Sequence, residues 1–269
     1  LNNQEGNFIC VNGILIAYRG NDKSVTVPYG VTGIGSGAFM ANETLRSVYV
    51  SDSVIYIDSM AFASCSELRL VCVPGSVEWI DEYAFSGCSN MTTLTIGSGV
   101  TLLDEYAFSW CSALKNVNIP ANVTQVGAYA FYECTGLTGA TVGADVGDYM
   151  FYGCTGLTNV TIGSAVTRIG ENAFYGCSRL QSVVIPNRVV EIGDSAFYNC
   201  IKLSKVTMGS GVTSIEDAAF CGCESLTAIT VPDSVTSMGQ MVFFGCTSLT
   251  KATIGNGVVK IPESAFSTC

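Results

Sequence analysis

Along most of the chain the apolar positions recur in one order, L-x-x-V-x-I-[PG]-x-x-V-x-x-I-G-x-x-A-F-x-x-C, which residues 180–200 display whole. There it runs Leu180, Val183, Ile185, Pro186, Val189, Ile192, Gly193, Ala196, Phe197 and Cys200. The phenylalanine sets the register, falling at 39, 62, 85, 108, 131, 151, 174, 197, 220, 243 and 266, at intervals of 23 residues apart from one of 20. A cysteine follows each phenylalanine by three residues, except in the first copy, where Asn42 stands. The V-x-I section alternates with period two and predicts a short strand. One such strand cannot bury its own apolar face, so about eleven copies must stack into a continuous parallel sheet. Proline or glycine closes each strand except the one before Ser51, the first lacking an N–H and the second freeing the backbone to turn. The segment around the acid and the Ala-Phe pair predicts a single helical or 3₁₀ turn, with the acid near its N-terminal N–H groups.

The predicted architecture is a repeat solenoid, α/β in type but strand-dominated, over residues 28–269. Residues 1–27 lie outside the period. Phe8-Ile9-Cys10-Val11, Gly13 to Tyr18 and Val25-Thr26-Val27 predict two or three strands with a tight turn at Asn12-Gly13. An N-terminal β-hairpin cap of this kind would shield the open end of the core. No matching cap is predicted at Cys269, which falls in mid-repeat, and an open end there suits self-association or a continuing parent chain. The shortened repeat at 132–151 omits the stretch that elsewhere supplies one inward aliphatic, which predicts a kink and a local weak point.

The L-x-x-V-x-I core resembles the L-x-x-L-x-L signature of leucine-rich repeats. The full unit, with its A-F-x-x-C continuation, is similar to the BspA-like (Treponema-type) subclass. The resemblance spans residues 28–269 and implies a leucine-rich-repeat fold with a strand-lined concave face. It also implies a bacterial or protozoan surface protein, a class in which some members bind host proteins or other microbes. One departure matters. The slot that usually holds a buried asparagine carries Ser53, Ser76, Gly99, Asn122, Ala165, Arg188, Gly211, Ser234 and Gly257, so an asparagine ladder cannot serve the turn backbone here.

Composition narrows the function. Hydrophobic residues make up 48% and charged ones 13%, enough to bury a large core. A net charge of −10 argues against nucleic acid, whose phosphates need clustered Lys and Arg, and against anionic lipid. No run approaches the roughly 18 apolar residues of a membrane helix, so no membrane insertion is expected. Leu1 opens no signal peptide. Histidine is absent, which removes the commonest general base and the commonest metal ligand. There is no G-x-S-x-G, phosphate loop or H-E-x-x-H, and no catalytic residue, cofactor or metal is predicted.

Three sets of residues remain as candidates. The cysteine ladder reads as buried free thiols filling small apolar gaps, not as disulfides or a zinc site. Cys72 and Cys221 are exceptions, read as reactive surface thiols. The outward strand slot is mostly threonine, which suits a solvated strand. Its first two copies instead gather Arg46, Tyr49, Arg69 and Leu70, a small basic and aromatic patch of the residue types that dominate binding hot spots. The competing reading places it at the cap junction. A second stripe, one residue after the repeat phenylalanine, comprises Tyr132, Tyr152, Tyr175, Tyr198 and Phe244. Exposed, these rings would stack on sugars or apolar side chains; tucked under loops, they would be packing. Acids before the Ala-Phe pair (Asp58, Asp81, Asp104, Asp148, Asp194 and others) read as turn caps ahead of calcium ligands. The function expected is a secreted or cell-surface adhesion or recognition module that binds host or microbial protein or glycan. The alternative is a structural stalk or spacer presenting another domain.

Overall fold

A computed structural model describes residues 6–269, and in it the period becomes one coil of a β-solenoid. Each coil contributes a strand to a main parallel sheet, as in Ser47–Tyr49, Leu70–Cys72, Asn116–Ile119 and Ser182–Ile185. Val48, Val71, Val117 and Val183 point inward and are buried, while their strand neighbours face out. A two-residue strand in each coil builds a second parallel sheet, from Gly33–Ile34 to Gln125–Val126 and again from Arg168–Ile169 to Ser237–Met238. At the N-terminal side Phe8–Val11 and Ile14–Tyr18 pair antiparallel, and Ile14–Tyr18 continues in parallel into the second sheet. Ser24–Thr26 pairs in parallel with Ser47–Tyr49 and is the first strand of the main sheet.

The expected helical turn is absent: no helix occurs among the described residues. In its place the Ala-Phe segment makes two successive turns with a left-handed residue in each. In one coil these are Met60 (φ 56°) and Ser64 (φ 58°), two residues before and two after Phe62. Ala61 N–H donates to the Asp58 carbonyl and Cys65 N–H to the Phe62 carbonyl, the pattern of type II turns with φ > 0 at the third residue. The intervening N–H groups of Met60, Phe62 and Ser64 leave the coil and donate to Glu82, Ala84 and Ser86 in the next one. A helix would keep all these bonds inside one segment. The arc spends half of them on stacking, and this is why it does not become helical.

Stacking at one period aligns like with like. The repeat phenylalanines form a column from Phe39 to Phe266 with ring centroids 4.7–5.6 Å apart. Tyr18 and Phe8 extend it into the hairpin, each step 5.1 Å. The cysteines do more than fill space. All thirteen are free, and from Cys65 onward each ladder Sγ donates to the phenylalanine carbonyl of the preceding coil, at 3.1–3.4 Å. The thiol thus ties coil to coil through side chain and backbone, a role apolar filling would not need. Three residues of the asparagine slot act similarly: Ser53, Asn122 and Ser234 donate to the carbonyls of Val31, Val100 and Val212, whereas the buried Ser76 hydroxyl finds no partner.

The shortened repeat leaves the main sheet intact. Gly139–Val142 pairs over four residues with both Asn116–Ile119 and Asn159–Ile162. The deletion is absorbed in the second sheet, which breaks after Gln125–Val126 and resumes at Arg168–Ile169 with only the Val146–Ile169 bridge between. In regular coils the amides at the start of this strand donate to a carbonyl one coil back, as Thr124 and Gln125 do to Thr101. Across the break the Asp145 carboxylate replaces that carbonyl, accepting from Thr167 N–H at 2.6 Å, Arg168 N–H at 3.2 Å and the Thr167 hydroxyl. Arg168 adds ion pairs to Asp148 at 3.0 Å and Glu191 at 3.2 Å. Asp145→Ala is therefore expected to destabilise this joint by about 1–2 kcal/mol, since charge-assisted bonds are lost and two amides are left with water. Hydrogen exchange should speed up at Thr167 and Arg168; equal rates in the variant would mean that the carboxylate contributes nothing there.

Candidate recognition surface

The outward row of the main sheet is open to solvent along its length. Thr95, Thr141, Thr161, Thr207, Thr230 and Thr253 are exposed, and so is Val184. At its N-terminal end Tyr49 is 48% exposed and sits in register between Thr26 and Cys72. Leu70 is half-buried beside Ser47, so Tyr49 and Leu70 meet on a diagonal and not side by side. Arg46 and Arg69 lie exposed at the starts of these two strands, one coil apart, and Arg69 N–H donates to the Arg46 carbonyl. Both guanidinium groups reach the same carboxylate, Glu67, at 3.9 Å. Exposed pairs of this length stabilise little, so both cations stay free to exchange Glu67 for another anion. Arg46 also borders an open hollow of about 290 Å³ with Lys23, Glu43 and Glu67. Glu67 was missed in the sequence as a shared partner because Arg46 lies 21 residues from it and is brought near only by stacking, although Arg69 is two residues away.

The tyrosine stripe is half-buried and stacked on itself. Tyr132, Tyr152, Tyr175 and Tyr198 follow one another at 5.4, 4.6 and 4.8 Å with nearly parallel rings. A second column not read from the sequence, Tyr83, Tyr106, Tyr129 and Tyr149, runs beside it at 4.8, 4.6 and 4.4 Å. Its signal was present: these residues all lie two positions before the repeat phenylalanine. Trp110, 45% exposed, stands edge-on to Tyr132 at 5.4 Å and joins the columns. Within the columns the ring faces meet one another. Burial pushes the Tyr106, Tyr132 and Tyr152 hydroxyls above their usual pKa. Tyr149 is raised chiefly by its 2.6 Å hydrogen bond to Glu171. Phe244 is half-buried and separated from Tyr198 by the intervening coil's Cys221. That thiol is buried and its pKa raised by desolvation, so it is not the reactive surface group expected; Cys72 is half-buried.

The acids serve turns, with no helix to cap. Asp58, Asp81 and Asp104 accept from the following N–H at 2.8 Å, and Asp148 and Asp217 from Glu171 and Gln240 one coil on. Among the described residues no three or more His, Cys, Asp or Glu side chains are grouped to hold a metal.

A parallel sheet built from one strand per 23-residue coil, with a buried aromatic column and an open outward face, defines a leucine-rich-repeat solenoid. Residues 17–138 and 144–269 match the BspA type leucine rich repeat region in six copies, and the chain belongs to that family. A leucine rich cell surface protein from Faecalibacterium prausnitzii A2-165 is similar over 99% of this chain and 80% of its own, at 29% identity and a TM-score of 0.64. The T. pallidum leucine rich repeat protein matches 62% of this chain and 82% of its own, at 26% identity and a TM-score of 0.58. Pneumococcal vaccine antigen PcpA shares the fold over 90% of this chain and 64% of its own, at 22% identity and a TM-score of 0.56. No curated protein matches the chain at a significant level.

Proposed function

We propose that the chain is a surface-displayed recognition module that binds a protein or glycan partner through the outward face of its main sheet, beginning at the Arg46–Tyr49–Arg69–Leu70 patch. The observation that carries this reading is the pairing of an exposed tyrosine with two cations held only by a shared, distant carboxylate, on a sheet face that nothing covers. Tyr and Arg are the residues that most often anchor interfaces, and the cations stand out on a chain of net charge −10. The sheet alone is small: eleven strands at about 4.8 Å and roughly 10 Å of width give about 530 Å², against about 800 Å² per partner in a standard interface. The rim around Lys23 and Arg46 therefore has to join the contact, or display in many copies supplies the avidity. The names of the similar bacterial proteins, one a cell surface protein, fit an extracellular setting.

The test is binding of the purified chain to arrayed extracellular-matrix proteins and glycans, with Arg46→Ala/Arg69→Ala run alongside. A specific protein hit weakened about tenfold or more by the double substitution is the expected result, equivalent to about 1.4 kcal/mol. A hit untouched by it would move the site to the Trp110–Tyr132 region, and no hit at any density would favour a spacer.

A further inference from the structure

The outward row changes character at the shortened repeat. Gly139 stands there between Asn116 and Asn159, its in-register neighbours, and the absent side chain leaves a dent in the sheet face. With Asn118, Thr141 and Thr161 in the next row, these residues line a hollow of about 350 Å³. Asn116, Asn118 and Asn159 are exposed, and Asn116 leans over the gap, its Oδ1 lying 2.7 Å from where a Cβ on Gly139 would stand. No other part of the outward row collects amides in this way.

We infer that this dent is a binding subsite for a neutral saccharide, an inference that rests on the outward sheet face being the recognition surface. Charge supports the choice of ligand. The lining carries no Asp, Glu, Lys or Arg, on a chain whose net charge of −10 would repel acidic sugars. A carboxamide presents a donor and an acceptor together, as a pair of adjacent sugar hydroxyls requires. Asn116 and Asn159 stand about 10 Å apart, two strand spacings, with room for one ring between them. An extended peptide fits less well. Peptides that bind sheets do so by adding to an open edge, whereas the Gly139–Val142 backbone is already paired on both sides.

The test titrates the ¹⁵N-labelled full chain with cellotetraose, chitotetraose, mannotetraose and maltotetraose, with a heparin tetrasaccharide and tetra-alanine as charged and peptide comparators. Saturable shifts of the Asn116, Asn118 and Asn159 side-chain amides with at least one neutral tetraose are expected. Asn116→Ala/Asn159→Ala should weaken that binding about tenfold or more, as two hydrogen bonds are lost. Gly139→Val, which fills the dent and turns the Asn116 amide aside, should do the same while the circular dichroism stays unchanged. Silence from all four neutral sugars, shifts with the heparin or peptide probe alone, or binding indifferent to both variants would each overturn the subsite. A protein partner lost with Arg46→Ala/Arg69→Ala but no saccharide response would sink the subsite alone. Saccharide binding without any protein partner would retain it and remove the basic patch.

Discussion

Raising the pH above 9 is expected to destabilise this protein steeply. Burial pushes the Cys65 thiol up to about 11 and Cys246 to about 12, from an ordinary value of 9.0. Desolvation drives Cys88, Cys111, Cys154, Cys177, Cys200 and Cys223 higher still, because no cation lies near to hold a thiolate. The folded values exceed the unfolded one, so this stability is fully present below pH 9 and is lost as the pH climbs towards the folded values. Each such thiol removes up to about 1.4 kcal/mol per pH unit above pH 9, because the unfolded chain releases a proton that the folded chain keeps. Eight of them act in the same direction, so the fall is steep against the few kcal/mol that hold a domain folded. Equilibrium unfolding under reductant, followed by circular dichroism at half-unit steps from pH 7 to 10, would show the fall. The Cys177→Ala/Cys200→Ala variant should show a shallower slope over the same range, whatever its stability at pH 7. Keeping below pH 10 separates the thiols from the raised tyrosines, which act in the same direction above it. A flat stability profile to pH 10 would contradict the account of the ladder.

The second large effect belongs to the phenylalanine column. Phe174→Ala is expected to cost about 3–5 kcal/mol, the range for emptying a buried aromatic site. Phe174 is fully buried and stacks on Phe151 at 5.4 Å and Phe197 at 5.1 Å, so two ring contacts of about 0.5–1.5 kcal/mol each go with the cavity. Each coil touches only its neighbours, so the loss should open the solenoid locally. Urea titration and hydrogen exchange of the Asn159–Ile162 and Ser182–Ile185 strands would register it. Phe266→Ala serves as the comparison: that ring is half-buried and stacks on Phe243 alone, and its loss should cost only about 1–2 kcal/mol. Equal losses at both positions would mean that continuity of the column is unimportant.

The period carried most of this fold. Strand, closing Pro or Gly, buried phenylalanine and buried cysteine were all legible because each recurs at a fixed offset and stacking preserves offsets. The double turn was only partly legible: φ > 0 falls on Gly87, Gly153, Gly176, Asn199, Gly222 and Gly245, the usual type II signal, but in other coils on Met60, Tyr83, Trp110 and Glu133, which carry no such signal. An acid ahead of Ala-Phe reads as a helix start only when the following N–H groups stay in the segment, and here they cross to the next coil. The basic patch was readable residue by residue, but its shared carboxylate was not, since Glu67 reaches Arg46 only across stacked coils. Asp145 was hidden for another reason: the deletion that makes its carboxylate necessary also removes the alignment that would reveal it.

The most direct test of the account is a hydrogen-exchange footprint of the chain bound to whichever arrayed protein it captures most tightly. Slowed exchange at Ser47–Tyr49, Leu70–Cys72 and the Arg46 and Arg69 amides, with the tyrosine columns unchanged, is the predicted result. Slowing confined to the turns around Trp110 and Tyr132, with both strands unaffected, would contradict recognition through the outward sheet face.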